Sequence, residues 1–216
     1  STQVAMLSES SVQMPDATEE AIRVVPNTSG RALFRINQDE SEARFLIEEV
    51  LMGNPTTVVG ATRQVAGDII IDYANPSAST VGQIGVNVRT LKTDNDFRDQ
   101  SIRGQILEST KTEYEFVTFE PTEVIGLSAE PIEVGSTVEF QVRGNLKIRE
   151  VTREVIFDLT VTAVSETQIE GLARATVRYA DFDISIKAPP SVSNIGEEVT
   201  LELDFVALRV EEGQGE

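Results

Sequence analysis

Thr137-Val138-Glu139-Phe140-Gln141-Val142-Arg143-Gly144-Asn145-Leu146-Lys147-Ile148 alternates apolar and polar residues, and Glu154-Val155-Ile156-Phe157-Asp158-Leu159-Thr160-Val161-Thr162-Ala163-Val164 does so again. Successive side chains of a strand point to opposite faces. Val138, Phe140 and Val142 therefore share one face of the first segment. Val155, Phe157, Leu159 and Val161 share one face of the second. Joined by Arg149-Glu150-Val151-Thr152-Arg153, the two predict a long antiparallel hairpin with one apolar side.

The same rhythm extends in both directions. Upstream lie Ala32-Leu33-Phe34-Arg35-Ile36, residues 43–51, 56–60 and 65–73, and then residues 79–91, where Ile84, Val86 and Val88 face one way. Tyr114-Glu115-Phe116-Val117-Thr118-Phe119-Glu120 is a further strand, stopped by Pro121, with a short one at 124–127. Downstream are residues 168–179, 181–187 and 199–208. Asn54-Pro55 and Asn75-Pro76-Ser77 supply turns. Only residues 93–107 break the pattern. Phe97, Ile102, Ile106 and Leu107 lie near helical spacing, and Thr93 or Asp94 suits an N-cap. A short helix across one end of the sheet is the expectation. Residues 1–29 are polar, acidic and turn-rich, and read as a tail or as an arm for self-association. Residues 30–210 form the domain, and residues 211–216 a second tail. Roughly eight antiparallel strands closed on themselves leave room for side chains or one small ligand, although an open sandwich has the same periodicity.

Composition excludes several chemistries. The 216 residues carry 36 acidic and 18 basic side chains, a net charge of −18. Such a surface repels phosphate backbones, which argues against nucleic acid as a partner. There is no cysteine and no histidine. Thiol nucleophiles, disulfides, serine–histidine triads and histidine metal sites are thereby excluded. No run of ~18 apolar residues is available to span a membrane as a helix.

Four segments carry a resemblance. They are Gln64-Val65-Ala66-Gly67-Asp68-Ile69-Ile70-Ile71-Asp72, the alternating run from Ser79 to Asp94, Tyr114-Glu115-Phe116-Val117-Thr118-Phe119, and the hairpin from Val142 to Phe157. Taken in order, they resemble the YceI-like family over residues 31–210. The resemblance implies an all-β fold: a closed, antiparallel, up-and-down lipocalin-like barrel of about eight strands, with a short helical segment near one end. It also implies a secreted, periplasmic or cell-surface protein that binds a polyisoprenoid or lipid-like chain, with no cofactor and no catalytic residues. Where bacterial members commonly carry histidine, this chain has residues 39–45 and 94–99, which contain none.

The ligand-binding candidates follow from these faces. The apolar lining is expected to comprise Phe45, Ile47, Ile84, Val86, Val88, Phe116, Phe140, Val142, Phe157, Leu159, Phe182 and Phe205. A one-residue slip in phase would turn any of them outward, and a filled core is the alternative reading. Arg89, Arg98 and Arg103 flank the helical segment, and an arginine fork suits a phosphate head. Pairing with Asp94, Asp96 or Asp99 is the simpler use. The cluster Asp94, Asn95, Asp96 and Asp99 lacks the glycine and closing glutamate of an EF-hand calcium loop, and reads as helix capping. Glu48 and Glu49 are adjacent on a strand and so point to opposite faces, which argues against a paired-acid glycosidase. The expectation is a non-enzymatic carrier of one long apolar amphiphile. The alternative is a filled structural module that assembles through residues 1–29.

Overall fold

The alternating segments of residues 30–210, which the computed structural model describes, form thirteen strands of one antiparallel sheet. In chain order these are β1 (Arg31–Ile36), β2 (Glu42–Leu51), β3 (Asn54–Thr62), β4 (Val65–Ala66), β5 (Asp68–Asp72), β6 (Thr80–Val81) and β7 (Ile84–Asn87). After the helix α1 (Asp96–Ser101) come β8 (Phe116–Ile125), β9 (Thr137–Ile148), β10 (Val151–Ala163), β11 (Gln168–Arg178), β12 (Val192–Ser193) and β13 (Glu198–Arg209). The readings of residues 1–29 and 211–216 as tails, and of the first as an assembly arm, lie outside the described residues.

Hydrogen-bonded neighbours follow the order β4-β7-β8-β9-β10-β11-β13-β1-β5-β6, with β2 pairing β13, β3 and β12. The sheet is strongly curled. There are thirteen strands instead of about eight because several long stretches are interrupted. A 3-10 turn at Gln38–Glu40 separates β1 from β2, and Gly67 separates β4 from β5. Successive connections alternate between two ends. One end carries the β2–β3 turn, residues 88–115, the β9–β10 turn and residues 179–197. The opposite end carries residues 73–79, 126–136 and 164–167.

Local chemistry moves several boundaries from where the sequence pattern puts them. The β9–β10 hairpin turns on Arg149-Glu150 alone, with Arg149 in the left-handed region at φ 55°. A two-residue turn of this twist matches the flanking strands, so Val151 to Arg153 join the ladder. Pro121 does not stop its strand. β8 continues to Ile125 because a register shift between Pro121 and Glu123 takes up the missing amide donor. The strict alternation of residues 79–91 is broken twice: β6 pairs with β5, β7 pairs with β8, and Val88–Thr90 is a 3-10 turn. The helix cap is Asn95, neither Thr93 nor Asp94. Its side-chain oxygen accepts from the amides of Phe97 and Arg98. Asp99, 2% exposed, instead accepts from the Thr93 amide and hydroxyl, both at 2.7 Å.

Two glycines shape the inner wall. Gly60 stands opposite Phe45, and Gly171 opposite Phe205, in the strand register. A Cβ on Gly60 would come within 2.1 Å of the Phe45 ring, and one on Gly171 within 2.6 Å of the Phe205 ring. Each ring therefore lies flat against the bare backbone of its neighbour strand. The wall is lined by aromatics without being filled by them.

Packing is dense at the end where β1 and β5 pair. Phe34, fully buried, packs there with Ala32, Ile71, Tyr73, Ile169, Phe205 and Ala207. Its ring meets Tyr73 edge-on at 6.5 Å between centroids. At the helical end, Val88, Leu91 and Ile102 form a smaller cluster, and Phe182 and Ile184 pack against Leu146, Ile148, Val155 and Ala175.

Across the register, Glu202 of β13 stands between Arg44 of β2 and Arg174 of β11. Arg174 donates from Nε at 2.8 Å and Arg44 from Nη2 at 3.1 Å. Burial alone would push the Glu202 carboxyl up, but the hydrogen bonds from Arg174 and Arg44, with their charges, outweigh it and hold it below the usual carboxylate range. A depressed folded-state value contributes stability that is full above the unfolded value of about 4.3 and is lost as pH falls through the folded one. Glu202→Gln is expected to destabilise by about 1.5–3 kcal/mol at pH 7, the usual loss of hydrogen bonds to a charged group. In urea melts the gap from wild type should close as pH drops below about 4.

Candidate functional site: an apolar cavity with a polar mouth

The curl of the sheet encloses a cavity of about 770 Å³. Pockets for small organic ligands run from about 300 to 1,000 Å³, so this one lies in the upper part of that range. Its wall follows from strand phase. Phe45 and Ile47 reach it from β2, Ile84 and Val86 from β7, and Val88 from the turn that follows. Phe140 and Val142 of β9 face Phe157 and Leu159 of β10 across their register. Phe182 closes one side and Phe205 of β13 another. Ring packing continues the wall, with Phe119 edge-on to Phe157 at 4.9 Å.

One expected lining residue is placed elsewhere. Phe116 is 53% exposed and faces away. Val117 and Phe119, one and three residues on, line the cavity instead. Adjacent apolar residues at 116 and 117 leave the phase of this strand ambiguous in the sequence, and the pairing Val86↔Val117 sets it.

The three arginines separate. Arg89 lies off the cavity: its Nε donates to the Ser109 carbonyl at 2.7 Å, and Nη1 lies 3.2 Å from Glu115. It pins residues 109–115 to the outer wall. Arg103 is likewise not among the lining residues. Arg98 does line the cavity. Its Nη1 donates to Asp94 at 2.6 Å and its Nη2 to Glu49 at 3.2 Å. Asp94 and Asp99 are thus committed to Arg98 and Thr93, and no group of acidic side chains suited to a metal ion occurs among the described residues.

Most of the polar lining gathers at the helical end; the exceptions are Ser79 and the Arg44–Glu202 ion pair. Glu49, Asn95, Arg98, Ser101, Lys187 and Ser191 belong to the β2 terminus, α1 and residues 187–195. Around them stand the apolar Phe97, Ile102, Ile106 and Leu107 of the helical segment, together with Leu51, Val192 and Ile195. Phe97 lines the cavity and is yet 81% exposed, so it sits on the opening. The helix continues beyond α1 as a π-helical turn at Ile102–Ile106. This wider turn sets Ile102 into the wall, 6% exposed. Sequence reasoning missed Glu49 and residues 187–195. Glu49 had a signal: it keeps the inward phase of Phe45 and Ile47, an acid in an apolar row. Residues 187–195 carry Pro189-Pro190 and no periodicity, so nothing marked them as wall.

A strongly curled antiparallel sheet around an apolar hollow, with one short helix at its mouth, defines an all-β half-barrel fold. A family model for the YceI-like domain matches residues 34–207, and the chain belongs to that family. Solved structures share the fold. A polyisoprenoid binding domain from Saccharophagus degradans, implicated in plant cell wall breakdown, aligns with a TM-score of 0.62 at 15% identity, covering 82% of this chain and 98% of that one. BcnA of Burkholderia cenocepacia aligns at 0.60 and 15% identity, covering 79% and 98%. The YCEI protein of Campylobacter jejuni aligns at 0.55 and 15%, covering 70% and 85%. Identity this low establishes shared fold alone. No curated protein matches the sequence.

Proposed function

We propose that this protein binds one long apolar amphiphile of isoprenoid or lipid-like character, without catalysis, its tail in the cavity and its polar end at the α1 mouth. The observation that carries this reading is the shape of the lining: about 770 Å³ of mostly apolar wall, with most of its polar groups at one end apart from Ser79 and the mutually paired Arg44 and Glu202. A purely structural module would be expected to fill such a space, because protein interiors close-pack. Each methylene withdrawn from water contributes about 0.8 kcal/mol. Ordering the flexible chain offsets part of that sum. The name of the Saccharophagus relative supports the isoprenoid class.

The reading of the sheet as a closed up-and-down barrel belongs to this proposal. It is supported by the pairing of β1 and β2 with β5 and β3, of β5 and β4 with β6 and β7, and so on through β8 to β13, which pairs back to β1 and β2. Closure would remove sheet edges and keep water from the tail. An extracytoplasmic setting is the corresponding expectation for the cell, to be tested by fractionation.

Native mass spectrometry of the purified chain, with organic extraction of whatever it carries, checks the binding reading. One long-chain amphiphile per protein is expected, either on isolation or after incubation with prenols, prenyl quinones and polyprenyl phosphates. A chain that stays free of ligand after all three would overturn it.

A further inference from the structure

We infer that the mouth selects amphiphiles with an uncharged, hydrogen-bonding head and discriminates against phosphate and pyrophosphate heads. This rests on the tail-binding reading and adds the chemistry of the other end. The deciding group is Glu49. It lies on the inner face of β2, 8% exposed, and lines the cavity at the opening. Its carboxylate is held by Arg98 Nη2 at 3.2 Å, while Nη1 of the same guanidinium is taken by Asp94 at 2.6 Å. Both terminal nitrogens of the one arginine on this rim are therefore occupied by carboxylates. The bidentate fork that recognises phosphate is already engaged.

The balance of charge agrees. Lys187 is the second cation at this mouth, and it is exposed; the third on the lining, Arg44, is paired with Glu202 away from the helix. Two cations and two carboxylates leave the mouth neutral, within a chain whose net charge of −18 repels anions at longer range. A phosphate that claimed Arg98 would have to displace Glu49 and leave a buried carboxylate without its partner, which is a large penalty. A hydroxyl or carbonyl head displaces nothing. It can exchange hydrogen bonds with the Ser101 hydroxyl and accept from the Asn95 side-chain N–H, which stand on the same rim.

The test compares two probes of equal tail, geranylgeraniol and geranylgeranyl phosphate, by titration calorimetry at pH 7 on wild type and on Glu49→Gln. The substitution keeps the shape and removes the charge. In wild type the alcohol is expected to bind at least about tenfold more tightly, a gap of about 1.4 kcal/mol. Circular dichroism and a thermal melt show that Glu49→Gln is folded, and the ratio of alcohol to phosphate affinity is the quantity compared with wild type. The phosphate should recover most of the difference, since Arg98 is then free on one side. Equal or tighter phosphate binding by wild type would overturn the inference and leave the tail-binding reading standing. A preference unchanged in Glu49→Gln would also overturn it. Failure of wild type to bind either probe would overturn both.

Discussion

Ala173→Trp is expected to abolish binding of a long-chain ligand while leaving the protein folded. Ala173 is 7% exposed and lines the cavity from β11, with Leu159 and Leu203 directly across the register on either side. The wall is tight there, but the space ahead of its Cβ is the hollow itself. An indole grafted onto this position enters volume that the ligand tail would use. Displacing the equivalent of roughly six methylenes forfeits about 5 kcal/mol of burial at ~0.8 kcal/mol each. Even if the tail reroutes and recovers half, the loss exceeds about fiftyfold. Far-ultraviolet circular dichroism and a thermal melt close to wild type, together with lost titration heat, are the expected pair of results. Undiminished affinity would mean that the tail lies elsewhere.

Phe34→Ala is expected to have the largest effect on stability, about 3–5 kcal/mol. Phe34 has no exposure and sits in the dense end of the sheet, with Tyr73, Ile71, Ile169 and Phe205 around it. Three strands converge on it: β1 carries it, β13 pairs at Arg209 and β5 at Ile69. Such a site collapses poorly after truncation, which puts the loss toward the upper part of that range. A typical domain is stable by only 5–15 kcal/mol, so the variant should be partly unfolded near physiological temperature. A urea midpoint within error of wild type would contradict this account of the core. The contrast with Ala173 is instructive. One end of the protein is expected to resist removal of atoms, and the middle to accept their addition.

The strand pattern was legible in the sequence over most of the sheet, but residues 181–187, read as a strand and buried at Phe182 and Ile184, form a 3-10 turn and irregular chain instead. Val138, Phe140 and Val142 against Phe157, Leu159 and Val161 could be read directly, because period-two alternation is local. The same was true of Ile84 and Val86. Legibility failed where a local rule met a long-range one. Pro121 should stop a strand, but a bulge against β9 carries the ladder past it. Phe116 and Val117 are both apolar, and only pairing with β7 decides which turns inward. Asn95, rather than its neighbours, caps α1 because Thr93 is already engaged with Asp99. Within the site, the tail end was readable as a row of apolar side chains. The mouth was not, since the Glu49–Arg98 pair spans 49 positions and residues 187–195 carry no periodic signal. The two missing histidines could be read from the sequence; the ion pair at the mouth could not.

The strand pairing of β13 has a consequence in time. It bonds to β11, the nearest long strand before it in the chain, and also to β1 and β2, the first strands of the domain, as in Phe34↔Arg209 and Ala43↔Leu203. A chain emerging from a ribosome or through a translocation pore presents β1 and β2 long before β13 exists. Until synthesis reaches the last strand, β2 waits with an unpaired edge and an apolar inner face, the combination most prone to joining a neighbouring chain. Sheets whose first and last strands must meet also fold slowly, on the millisecond to second scale. The hazard in the life of this protein therefore lies in its biosynthesis, before the last strand is available.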